Sequence, residues 1–300
     1  TAETCAGIDS PGGPERPGAP EPAGRGGSPR PVRPPGGRPP RAGPAVARRI
    51  VFVGDPETRI REDYLRILRF FRFQAWYGRT VPEEAGLAAC AKLRSGLDDI
   101  SAERIWTETR KLLAAPQPLA SLDAMESTGV LAQLFPEAKG LKLLRKLVGL
   151  DMREGFTPDP MVRFLALFWK STAAVHDVAN RVKMSNDERH RLNWAVQHDT
   201  PLWGGVTAHE IRVALYLSGA QTIRDRLMLE WAGDESPDWS EVLTLVDNWQ
   251  RPTMPVTGAD LLQRGAAEGP TIGASLRKLE TAWIESDFTL SQSDLLSLVE

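Results

Sequence analysis

The sequence predicts an all-α chain behind an irregular leader. Three observations carry that reading: a break in composition near residue 46, a 3.6-residue apolar period over most of the chain beyond it, and short connections rich in Gly, Pro, Asp and Ser. Residues 1–45 hold half of the 24 prolines and almost no aliphatic or aromatic side chains. Such a stretch buries too little apolar surface to offset its chain entropy, so residues 1–46 are expected to be disordered. Their Arg/Pro/Gly/Ala bias also matches a GC-rich coding region read in the wrong frame, which keeps a frameshifted segment open.

From Ala47 the character changes. Arg49 to Val53 is a short β-like run. Gly54-Asp55-Pro56 reads as a helix start, with Asp55 as N-cap and Pro56 at the first helical position. One long amphipathic helix is expected from there to Tyr77, closed by Gly78. Ser101 caps the next, through Leu112. Further helices are expected over 119–134, 140–150, 160–169, 187–197, 207–217, 222–231, 239–249, 258–265 and 272–287. No equal repeat of 20–50 residues is visible.

The formal net charge of −2 excludes recognition of nucleic acid by bulk charge, leaving only local basic stripes for that purpose. No apolar run approaches the ~18 residues of a membrane span, so no membrane partner is expected. Two cysteines, Cys5 and Cys90, make no disulfide framework and fit a reducing cytoplasm. The four histidines show no metal-ligand spacing with them. His176-Asp177 stands without the further ligands that a metal phosphohydrolase site needs.

The informative segment runs from Arg59 to Phe73. On a continuous helix Arg59, Glu62, Arg66 and Arg69 fall within about 80° of one another. Asp63 lies at the edge of that stripe, and Tyr64, Leu65, Ile67, Leu68 and Phe71 fill the opposite arc. Glu62 and Arg66, four apart, can pair and fix the guanidinium. Asp63, three residues before Arg66, adds an acceptor beside a forked donor. Cytosine and adenine present an amine beside a ring-nitrogen acceptor, whereas uracil and guanine present a carbonyl beside an N–H. A rigid acceptor–donor pair therefore takes C and A and leaves buried polar groups unpaired against U and G. A solvated face laced with ion pairs would show the same spacing.

The run Gly54-Asp55-Pro56-x-x-Arg59-Ile60-x-Glu62-Asp63-x-Leu65-Arg66-x-Leu68-Arg69-x-x-Arg72-Phe73 resembles the neck helix of the class II CCA tRNA nucleotidyltransferases and their poly(A) polymerase relatives. The resemblance implies that Asp63 and Arg66 pair with the incoming base, that Glu62 holds Arg66, and that Arg69 contacts the nucleotide. Ile100-Ser101-Ala102-Glu103-Arg104-Ile105-x-x-Glu108 is similar to the family's next motif, which opens a helix bracing the neck. Met125-x-x-x-Gly129-Val130-Leu131, Phe135-Pro136-Glu137 and Asp159 to Phe164 resemble the helical body. Pro255 to Leu261, Gly269-Pro270-x-Ile272-Gly273 and Trp283 resemble the tRNA-binding tail. The implied organisation is a neck at 47–115, a body at 116–235 and a tail at 236–300.

The implied substrates are CTP and ATP, the implied partner is tRNA, and Mg2+ is the family's cofactor. No obligate protein partner is evident. The family's catalytic head, with its Gly-Gly-x-x-x-Arg-Asp segment and Asp-x-Asp pair, has no counterpart before residue 48, so neither catalytic carboxylates nor metal ligands can be named. The expectation is a nucleotidyltransferase by family, without turnover in this polypeptide. A poly(A) polymerase and a catalytically silent RNA-binding remnant are the alternatives. Lys139, Lys142, Arg145 and Lys146 cluster on one predicted helix and are candidates for tRNA phosphates. Arg181, Lys183, Arg189 and Arg191 form a second basic group, and a solvated helix face is the alternative for both.

Overall fold

The computed structural model describes residues 49–197, 206–235, 239–264 and 270–299. The expectations for residues 1–46 lie outside them. Every described element is helical, so the expected all-α class holds. The run 49–53 forms no strand. It has no partner ladder among the described residues to satisfy its backbone groups, and it packs as an irregular segment instead, with Ile50 buried and Phe52 stacked on Phe70 at 5.1 Å.

The helix start at Asp55 is as expected. Its carboxylate accepts from the Thr58 N–H at 2.8 Å and the Thr58 hydroxyl at 2.7 Å, and Pro56 opens α1 (Pro56–Glu62). The long helix is nevertheless two, because the chain turns extended at Asp63 before α2 (Leu65–Tyr77). Gly78 closes α2 at φ −64, outside the left-handed region. Its lack of a side chain makes room for Gln74, whose amide atoms would lie 2.3–2.6 Å from a Cβ there.

α3 (Glu84–Leu93) and a 3₁₀ segment (Arg94–Asp99) follow, then α4 (Ala102–Leu113). The segment expected as one helix over 119–134 is α5 (Leu119–Ser127) and α6 (Val130–Leu134), parted by Gly129 in the left-handed conformation at φ 73. α7 (Lys142–Glu154) and α8 (Pro160–Leu165) precede α9 (Thr172–Arg181) and α10 (Asn186–Gln197). α11 (Ala208–Ser218) starts in a Thr207/Glu210 capping box and leads to α12 (Ala220–Gly233) and α13 (Ser240–Asp247). α14 (Gly258–Gln263), α15 (Pro270–Glu285) and α16 (Gln292–Ser297) complete the described chain.

One apolar core runs from Ile50 to Val246, with Phe71, Phe135, Phe164 and Phe168 fully buried. A smaller cluster joins Tyr216, Val256, Leu261, Leu279, Trp283, Leu295 and Leu296, and Trp249 packs against both. α2 lies between α4 and α5, which fixes the face it can expose. The position of α4 is set in turn by Arg163 of α8. That side chain is 1% exposed and donates to the Leu113 carbonyl at 2.8 Å and the Ala115 carbonyl at 2.6 Å, with Asp151 beside it. A buried cation thus satisfies carbonyls at the C-terminal end of α4 while its charge is balanced by a buried carboxylate.

Candidate functional site

The break between α1 and α2 falls inside the motif and decides its geometry. Asp63 adopts φ −158 and ψ 106, and its Oδ1 accepts the Leu65 N–H at 3.2 Å. A short carboxylate offers the backbone this alternative to continued helix, which is why the chain turns here. The break leaves the Arg59 carbonyl without its N–H four residues on, since the Asp63 N–H bonds to the Ile60 carbonyl at 3.1 Å instead. Arg66 fills the gap. Its Nη1 donates to the Arg59 carbonyl at 2.7 Å and to Glu62 Oε2 at 2.6 Å, and Glu62 also takes Arg59 Nη1 at 2.5 Å.

The Glu62–Arg66 pair expected from the spacing is therefore present, across the break. The Arg66 hydrogen bond holds the Glu62 carboxyl below its usual value of 4.5. Both bonds use one nitrogen of Arg66, so its Nε and Nη2 make no hydrogen bond among the described residues. The helical spacing does not apply to Asp63, which is non-helical. Its carboxylate pairs with Arg104 of α4, at 3.1 Å to Oδ2 and 3.3 Å to Oδ1, an ion pair that the helix pattern did not contain. Tyr64 fixes the turn from the other side by lying against Gly96, where a Cβ would meet its ring at 2.1 Å.

Arg69 is exposed and makes no hydrogen bond or ion pair with the described residues. Arg72, one turn short of the helix end, donates to the buried Glu108 at 2.6 Å and lies over the Phe73 ring at 4.2 Å. Glu108 thus ties α4 to α2, the bracing that the second motif implied. The site is an open face, with Glu62 and Arg69 exposed and Asp63 and Arg66 half-buried.

The first basic cluster divides. Lys139 and Lys142 are exposed and have no ion partner among the described residues. Arg145 pairs with Asp123, and Lys146 donates to the Gly233 carbonyl at 3.1 Å. In the second cluster Arg181 pairs with Glu137, Lys183 with Glu103, and Arg191 with Asp159 and Asp225, so these cations tie helices together. Burial raises the pKa of the Asp225 carboxyl even beside Arg191. Among the described residues His176 hydrogen-bonds to Asn180, at 3.0 Å. Among the described residues no group of three His, Cys, Asp or Glu side chains is placed to hold a metal ion. No helix among them is long and apolar enough to cross a membrane.

A family model described as the probable RNA- and SrmB-binding site of polymerase A matches residues 82–141. The mitochondrial CCA tRNA nucleotidyltransferase 1 of Mus musculus is 31% identical over 265 residues, 84% of this chain and 58% of that protein. A CCA-adding enzyme of Levilactobacillus brevis is 29% identical over 249 residues, 78% of this chain and 59% of that protein. The chain belongs to the CCA-adding enzyme family. It spans just under three fifths of the length of these relatives. Among solved structures, a CCA-adding enzyme in complex with ATP shares its fold, with a TM-score of 0.55 over 81% of this chain and 61% of that one at 19% identity. The chain thus places Glu62, Asp63 and Arg66 on a helix pair joined by a bend, with Arg66 held from α1 and Asp63 held from α4.

Proposed function

We propose that the face formed by Glu62, Asp63, Arg66 and Arg69 selects the incoming nucleotide for a CCA-adding tRNA nucleotidyltransferase. One observation carries this reading. Glu62 and the Arg59 carbonyl hold a single nitrogen of Arg66, leaving the rest of the fork to donate. Asp63 supplies the acceptor. Three hydrogen bonds occupy its carboxylate, which accepts at about four sites. One acceptor and one fixed donor match the edges of C and A, and a U or G would leave both unpaired. Arg69, exposed one turn on, is free to meet the triphosphate.

In this reading residues 47–115 are the neck, 116–235 the body and 236–300 the tail. CTP and ATP are the substrates, and relatives named for CCA addition favour that assignment. tRNA phosphates would be tracked by Lys139 and Lys142, with Arg145 and Lys146 contributing less because they already have protein partners. The described residues do not fit a Mg2+ site, so no step through the metal is assigned to them. The buried Cys90 thiol, pushed up to about 12 by its surroundings, is unreactive, and the low cysteine content fits a reducing cytoplasm.

The match of residues 82–141 to a polymerase A segment favours a second reading, a poly(A) polymerase. Calorimetric titration of this chain with each of the four nucleoside triphosphates, together with a tRNA incorporation assay in Mg2+, tests the proposal. Binding of CTP and ATP over UTP and GTP is the expected result, and any incorporation should be of C and A alone. Binding of ATP alone would favour the poly(A) reading, and equal binding of all four would refute selection by this face.

A further inference from the structure

Arg104 stands in the first turn of α4, yet its guanidinium reaches the break between α1 and α2 and takes the Asp63 carboxylate at 3.1 and 3.3 Å. Asp63 lies outside both helices, so neither α1 nor α2 supplies a side chain to hold it. Apart from the Leu65 N–H, Arg104 is the partner the structure gives that carboxylate. The pair is half open to solvent, with the two side chains 48% and 26% exposed, and ion pairs this exposed add little to folding stability. A fixed direction for the acceptor is what the contact supplies.

We propose that Arg104 is a positioning residue for nucleotide selection, holding the acceptor half of the Asp63–Arg66 pair as Glu62 holds the donor half. The proposal rests on the reading of Asp63 and Arg66 as the groups that meet the base. With Arg104 and Leu65 in place, the carboxylate keeps one free Oδ2 acceptor site, the number that a single exocyclic amine hydrogen requires. Without Arg104 the carboxylate can rotate about its side-chain bonds and find water. A uracil carbonyl then no longer faces a fixed acceptor, and the penalty for the wrong base falls. Acceptor and donor would so be set independently, from two elements about forty residues apart in the chain.

The test compares CTP and UTP affinities, by ligand-observed NMR, for the wild-type chain, Arg104→Met, Arg104→Lys, Asp63→Asn and the Arg104→Met/Asp63→Asn double variant. Arg104→Met should lower the CTP-over-UTP preference about tenfold, the scale of one misplaced hydrogen bond, with Arg104→Lys intermediate. In the Asp63→Asn background Arg104→Met should change nothing further. A wild-type preference in Arg104→Met, or the same loss with and without Asp63, overturns the proposal. Should Arg104→Met fail to fold, Arg104→Lys alone and in the Asp63→Asn background decides by the same comparison. A wild-type chain that binds CTP and UTP equally removes the underlying reading of Asp63 and Arg66, which separates that failure from one of Arg104.

Discussion

Replacing Gly96 with alanine puts the packing of the bend to a direct test. A Cβ at this position would lie 2.1 Å from Tyr64 Cδ1 and Cε1 and 2.5 Å from Cγ. Ordinary carbon–carbon contact begins near 3.5 Å, so the ring would have to retreat by more than about 1 Å. These are ring atoms next to the backbone, with no flexible end that could swing aside, and the cost should fall in the ~1–3 kcal/mol range of overpacking. For a chain of this size that is a drop in Tm of roughly 2–10 °C. Gly149, exposed within α7 with nothing within 4 Å of its would-be Cβ, provides the control. Alanine there should stabilise by about 0.5–1 kcal/mol through helix propensity alone. Because Tyr64 follows Asp63, Gly96→Ala should also weaken CTP binding, whereas Gly149→Ala should leave it unchanged. Thermal melts by circular dichroism and CTP titration of the two variants read both effects. A Gly96→Ala chain as stable as Gly149→Ala would refute the packing of Tyr64 on Gly96 and the fixed bend built on it.

Two further outcomes are expected of the same structure. Arg163→Met strands the buried Asp151 carboxylate and the Leu113 and Ala115 carbonyls, and should cost about 3–5 kcal/mol in urea unfolding, with Asp151→Asn in the same chain recovering part of it. The Glu62 carboxyl is held below 4.5 by the Arg66 hydrogen bond, so the brace is fully present above that value and is lost as pH falls through the lowered one. CTP-over-UTP preference should therefore be flat between about pH 6 and 8, and a loss within that window, measured by titration, would contradict Glu62 as the brace.

Helix starts were legible at Asp55-Pro56, Asp159-Pro160 and Thr207 with Glu210, where a side chain caps them, but the Ser291/Asp294 box that opens α16 was not read. The bend at Asp63 was not, because Ile60, Leu65, Ile67, Leu68 and Phe71 are all buried on both sides of it and their apolar pattern runs through the break unaltered. What breaks the helix is a local bond that the Asp63 carboxylate accepts from the Leu65 N–H, with the carboxylate held in place by an arginine 41 residues away, and neither leaves a periodic trace. α3 was missed for a related reason. Its Glu-Ala-Gly-Leu-Ala-Ala-Cys-Ala-Lys-Leu run is rich in small residues that pack without marking a face. The Glu62–Arg66 brace was legible because the partners lie four apart, and the pair forms even though the break places them on different helices. The ion pairs of Arg145, Arg181 and Arg191 were not legible, since their carboxylates lie 22 to 44 residues away in sequence.

The claim on which the rest depends is that the free side of the Arg66 fork meets the base. The Nε–H resonance of Arg66, assigned by its loss in Arg66→Lys and followed in nitrogen-resolved NMR while each nucleoside triphosphate is added, measures that contact. CTP and ATP should shift it with saturation, and UTP and GTP should leave it in place. A resonance that moves equally with all four, or with none while CTP binds, would contradict the account.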